Sequence, residues 1–396
     1  MNQHDTVSQT EIRAFERFAD LAVDLPPEIR TTDIAPYSKA NLDFALNNGL
    51  AMTANGRLWA SWIAGGDGAN SFTVACRSDD GGETWSDVEL VIDGHGSVPT
   101  YGNPCGRTNI IGTFWLDPDG RFRLYTDQSL FHFDGRAGIW ESICLNPDEP
   151  VTRWTPPRRI GHGHVLNKPV VLSNGSWAMS GYLNAALTNP YFRGRAGAFA
   201  ELDPERGATC YISTDRGATW TKRGTALFPG EDWHESQFLE LADGTLRVFA
   251  RVNDGQGRLM ASDSRDGGRT WSSPFSLDAT DNPNARFQIM RLRSGRVLFV
   301  KHGAPPAGGK DGQGRDKLTA YLSEDDGATW LGGLELFAGA SSYPDACQGP
   351  DGTIYVTHDH DRAGAAEIRL HRFTEDDILV RRIVSSHSRL GLLVNK

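Results

Sequence analysis

No stretch of the sequence is apolar for long enough to span a bilayer, and its first thirty residues are polar and charged, without a cationic start leading into an apolar core. These absences lead us to expect a cytoplasmic protein with no membrane partner. Basic residues are in the minority, 40 Lys and Arg against 50 Asp and Glu, for a formal net charge of -10. A surface that tracks phosphates needs a dense basic patch, so nucleic acid is not an expected partner. Cysteine is scarce too. The five present (Cys76, Cys105, Cys144, Cys210 and Cys347) are odd in number and lack C-x-x-C spacing, which argues against both a disulfide framework and a zinc site and predicts reduced, buried thiols.

What the sequence has in quantity is turns. Its 44 glycines and 20 prolines are spread along the chain, as many short strands joined by tight turns require. Runs such as GRFRLYTDQS, GTLRVFARVN, GRVLFVKHG and GTIYVTHDH each read as a strand launched from a glycine turn. Only the beginning differs, where EIRAFERFADLA places apolar residues at helical spacing and predicts a short N-terminal helix on the outside of the fold. We therefore divide the chain into an extension, residues 1–35, and an all-β body, residues 36–396.

The body repeats itself. SDDGGETW (78–85), STDRGATW (213–220), SRDGGRTW (264–271) and SEDDGATW (323–330) are near-identical octets. Their chemistry is that of a turn: the Asp accepts from backbone N–H groups, the Gly permits positive φ and the Trp packs inward. Trp154, in a degenerate stretch, fills the gap, so the tryptophans fall at 85, 154, 220, 271 and 330, a spacing of one four-stranded blade each. The last segment, from Tyr343 onward, supplies strands for a sixth blade that the N-terminal strand could complete, closing the ring and removing exposed edges.

The octet is the Asp box, and from about Asn47 to the C-terminus the chain resembles the sialidase (neuraminidase) superfamily. The resemblance implies a six-bladed β-propeller with Asp-box hairpins, no cofactor, and an axial funnel where arginines grip a substrate carboxylate. It also implies a Tyr nucleophile helped by a Glu, and an Asp acid/base. ESQFLELADGTLRVFAR is similar to the stretch carrying the helper and a carboxylate-binding arginine, here Glu235 and Arg251. GRDKLTAYLSEDDGATW is similar to that of a second such arginine, Arg315, and SSYPDACQGPDG to that of the nucleophile, Tyr343. AGGDGANSFTVACRSDDGGETW resembles the acid/base loop, which makes Asp67 the corresponding residue. A phenol suits an anomeric centre that bears a carboxylate, since an attacking carboxylate would be repelled.

One element is missing. The family's first arginine should fall near Asn47-Asn48-Gly49, and no arginine stands there; Arg107 and Arg286 lie in loop-like stretches that could fill the vacancy. Two polar runs stay open in meaning. His162, His164, Asn167 and Lys168 could line the funnel or form a solvated turn. His358, Asp359, His360, Asp361 and Glu367 superficially suggest metal ligands without a recognisable ligand spacing, and Glu367 could instead orient an arginine. The expected function is that of a retaining exo-glycosidase removing a terminal acidic sugar, sialic acid or a relative, from a glycan. A hydrolase or lyase acting on another acidic sugar such as a uronate, or a non-catalytic glycan-binding propeller, are the alternatives.

Overall fold

Strands this short are marginal alone and are stable only when their faces are covered. The computed structural model, which describes residues 8–96, 106–130, 136–184, 199–229, 235–251, 257–303 and 314–396, arranges them as six antiparallel sheets forming a six-bladed β-propeller. From the inside outward, the first blade contains Leu46–Met52, Leu58–Ala64, Phe72–Ser78 and Leu90–Ile92, and the fourth runs from Gln237–Glu240 to Phe275–Asp281. The interfaces between blades are the core; one joins Trp62, Val74 and Val91 of the first blade to Ile368 and Leu370 of the sixth.

Closure differs from expectation. The sixth blade is completed by the chain's own last strand, Arg389–Asn395, which pairs with Glu367–Phe373. The N-terminal strand, Ile29–Arg30, instead adds to the outer edge of the first blade beside Leu90–Ile92. The N-terminal helix covers Gln9–Asp24 and lies against the second blade, held by the Phe199 N–H donating to Glu16 Oε1 (2.8 Å) and by Arg159 donating to the Val23 carbonyl (2.5 Å).

The octets are turn staples, and they also join blades. In the first, Ser78 Oγ donates to Asp80 Oδ1 (2.8 Å), which accepts from Thr84 N (2.9 Å), while Gly82 N donates to Ser78 Oγ (2.9 Å). Asp215, Asp266 and Asp325 repeat the pattern. The Thr219 and Thr329 hydroxyl and amide groups hold Asp215 and Asp325 at about 2, so the staples stay ionised at neutral pH. Gly82 has φ of 91°, and a Cβ there would lie 2.1 Å from Leu370 of the sixth blade. The first three octet turns thus dock against the preceding blade, where an arginine meets each: Arg372 donates to Gly81 O, Arg123 to Arg216 O and Arg223 to Gly267 O, whereas at the fourth the Ala242 N–H of the preceding blade donates to Asp326 Oδ2 (2.7 Å).

Cys76, Cys144, Cys210 and Cys347 are free and buried, and burial pushes the first two thiols to about 11 and the last two to about 12. Cys105 lies outside the described residues.

Buried imidazoles make stability depend on pH. Burial pushes His302 down to about 3, His358 to about 4 and His371 well below its usual value; the rings of His358 and His371 stack at 5.0 Å. Unfolding frees each to take up a proton near pH 6.5, so the unfolded state binds more protons below that value. Stability should therefore fall as pH drops from 6.5 toward 4, by about 1.4 kcal/mol per pH unit for each such histidine. Urea midpoints measured from pH 7 to 4.5 check this; a flat profile would contradict it.

Candidate active site

Tyr343 of the sixth blade, Glu235 and Arg251 of the fourth, Asp67 of the first and Arg315 of the fifth line a single cavity of about 200 Å³ at the propeller axis. Leu46, Ile63, Ile110, Ile111, Leu166 and Tyr182 form its apolar wall. Arg362, not singled out from the sequence, completes the lining with Asn48.

Two of these residues have unusual backbones. Tyr343 has φ of 54° and Glu235 φ of 44°, in the left-handed region, which costs a non-glycine residue about 1–3 kcal/mol and persists only where the surroundings enforce it. Buried asparagines enforce it here: Asn47 Nδ2 donates to Tyr343 O (2.6 Å), and Asn167 Nδ2 donates to Glu235 O (3.0 Å). Side chains that would otherwise point elsewhere are thereby turned toward the axis.

Glu235 is 1% exposed, and neither carboxylate oxygen has a hydrogen bond among the described residues; Arg251 Nη1 stands 3.1 Å from Oε2 as an ion pair. A buried carboxylate with acceptor capacity to spare is poised to take a proton. Burial pushes the Tyr343 phenol up, and Glu235 adds to the effect while Arg251 opposes it. The resting phenol is accordingly neutral, so attack through its oxygen needs a base at hand. Asp67 is half-exposed at the rim, on the loop between Leu58–Ala64 and Phe72–Ser78, with Arg362 Nη1 3.7 Å from its Oδ2. Arg315 comes from the segment entering Leu318–Ser323, where its Nη2 donates to Asn284 O (2.6 Å).

The two arginines considered for the vacancy go elsewhere. Arg107 donates to the carbonyls of Leu25 and Pro26 and to Gln128 Oε1, tying the segment after the N-terminal helix to the second blade. Arg286 is fully buried beneath the cavity and donates to Asn48 O, Leu166 O and Asn167 Oδ1, with Asp345 Oδ1 at 3.4 Å. Neither lines the cavity. Asn47 and Asn48, at the expected arginine position, use their amides on the backbone carbonyls of Tyr343 and Ile110.

The polar run from His162 supports the cavity from behind. His164 Nδ1 is 2.5 Å from Asp127 Oδ2, Lys168 pairs with Asp345, and His162 Nδ1 meets Arg159 Nη2 at 3.1 Å. The later run does not converge as a metal site; among the described residues no three His, Cys, Asp or Glu side chains do. Glu367 orients Arg369, 2.6 Å away, which is not among the cavity's lining residues.

The profile of BNR repeat-like domains matches residues 56–356. The chain belongs to this family. Its propeller and its relatives place it in the sialidase superfamily. A sialidase of Vibrio cholerae is 30% identical over 163 residues, 34% of this chain and 20% of the relative. A sialidase of Micromonospora viridifaciens is 25% identical over 351 residues, 78% of this chain and 49% of the relative. The chain thus spans half or less of the length of these curated relatives. Among solved structures, the Hadza microbial sialidase Hz136 superposes with a TM-score of 0.63 at 18% identity, covering 85% of this chain and 66% of its own. A Streptococcus pneumoniae sialidase does so at 0.60 and 14%, covering 94% and 73%. At these identities the likeness is one of fold.

Proposed function

We propose that the BNR-family chain is a retaining exo-glycosidase of sialidase type that removes a terminal acidic sugar from a glycan. The observation that carries this reading is the convergence of Tyr343, Glu235, Asp67, Arg251 and Arg315 on one axial cavity. The sialidase names of its curated relatives support it. Arg251 and Arg315 hold the substrate carboxylate, since guanidinium forks match carboxylate geometry. Tyr343 Oη attacks the anomeric carbon while Glu235 takes the phenolic proton, and Asp67 gives its proton to the departing oxygen. Water then attacks the glycosyl-tyrosine: Asp67 accepts the water proton, the C–O bond to Tyr343 breaks, and Glu235 returns the proton to the phenol. Two inversions leave the configuration unchanged.

The test is turnover of aryl α-sialosides, aryl uronides and a neutral aryl glycoside, with the anomer first released identified by NMR. Release of the α-anomer from the sialoside, with the neutral glycoside inert, is the expected result. Activity on a uronide alone moves the substrate to another acidic sugar. Silence across the whole panel would leave a binding propeller and overturn the proposal.

A further inference from the structure

We propose that Arg362, on the turn after Ile354–His360 in the sixth blade, is the third carboxylate-binding cation of the cavity and takes the place of the arginine that the first blade lacks. This rests on the glycosidase reading above. The vacancy is physical: at the position where the first blade would present an arginine, the amides of Asn47 and Asn48 are committed to backbone carbonyls. Arg362 comes to the same corner from the neighbouring blade. Its carbonyl accepts from Ala45 N (2.9 Å), just before the innermost strand of the first blade. Its guanidinium carbon lies 5.1 Å from the centre of the Tyr343 ring.

Charge balance decides its importance. The cavity lining carries three guanidiniums, Arg251, Arg315 and Arg362, against two carboxylates, Asp67 and Glu235. Arg362 tips the lining itself toward positive charge, because its buried partner Asp359 is not among the lining residues. Asp359 is its positioning residue. Oδ1 is 3.3 Å from Nε, Oδ2 is 3.5 Å from Nη2, and Oδ2 also accepts from Asn47 N (3.1 Å). These contacts to Arg362 are long. The side chain keeps 22% of its surface exposed, whereas Arg286 is sealed among its acceptors. Arg362 is thus held in place yet open to a carboxylate.

The experiment compares binding of methyl α-N-acetylneuraminide and its carboxamide to the wild type, Arg362→Met and Arg362→Lys by calorimetry, with thermal melts recording folding. Loss of a charge-assisted contact should weaken binding of the acid by about 10- to 100-fold in Arg362→Met. Arg362→Lys, which keeps the charge without the fork, should fall between. The carboxamide should bind the wild type and Arg362→Met alike. Equal weakening of acid and carboxamide, or no weakening of the acid in a folded variant, would overturn the proposal while the glycosidase reading stands. Failure of the wild type to bind the acid would overturn the proposal, and the glycosidase reading would fall with it only if the aryl glycoside panel were silent as well.

Discussion

Tyr343→Phe should remove turnover of the acidic aryl glycoside almost completely, lowering kcat by roughly 10⁴-fold or more, the order seen when a covalent nucleophile is deleted and the binding groups remain. The substitution removes one oxygen. The ring stays beneath Arg362, the φ of 54° remains imposed by Asn47, and the fold should be unaffected. Substrate binding should survive, because Arg251 and Arg315 are untouched. That split between lost kcat and retained affinity separates a nucleophile from a residue that merely lines the cavity. The base has a related signature in the wild type. Burial and Glu235 hold the phenol neutral at rest, so its proton must leave during attack, and a solvent isotope effect on the first step should accompany turnover. Retention of most of the activity in Tyr343→Phe would sink the covalent mechanism and leave a direct water attack within the same cavity.

Arg286→Met should lower the free energy of unfolding by about 3–5 kcal/mol, the cost of deleting one partner from a buried ionic network. The guanidinium joins the first blade through Asn48 O, the region before the third through Leu166 O and Asn167 Oδ1, and the sixth through Asp345. Methionine fills comparable space but satisfies none of these acceptors, and buried groups left without partners keep their full desolvation penalty. Asp345 would retain Lys168 and the Leu50 N–H (2.6 Å), which limits the damage to the carbonyls and to Asn167. Because Asn167 also fixes the Glu235 carbonyl, kcat should fall alongside stability. Urea denaturation with an unchanged m-value measures the first effect and steady-state kinetics the second. A loss below about 1 kcal/mol would mean that solvent or Lys168 replaces the guanidinium without penalty.

Much of the candidate site was legible because its members sit in short stretches with local signatures. Glu235 and Arg251 flank one hairpin, Arg315 precedes an octet, and Tyr343 precedes a glycine turn. Their convergence follows from the propeller, which brings one end of every blade to a common axis. Arg362 was invisible for the opposite reason. It follows a run of His and Asp whose composition drew attention to metal chemistry, and nothing local marks its side chain as reaching the cavity. Arg107 and Arg286 were plausible because they stand near turns. Where an arginine's five donors are satisfied depends on carbonyls contributed by other blades, and neighbouring residues say little about that.

By itself, the sequence determined the all-β character, the blade-sized period and the hairpin turns, since each octet closes its hydrogen bonds within a few consecutive residues, as Asp80 does with Ser78 and Thr84. Local bonds of this kind depend little on what lies elsewhere. Tertiary structure alone decided which strand closes the ring, which arginines are consumed as internal ties and which face the cavity. Those outcomes rest on pairs such as Arg286 with the Asn48 carbonyl, 238 residues apart. They form only when folding has brought blades from opposite ends of the chain around one axis, where a buried polar group must find its partner or bear the cost of lacking one.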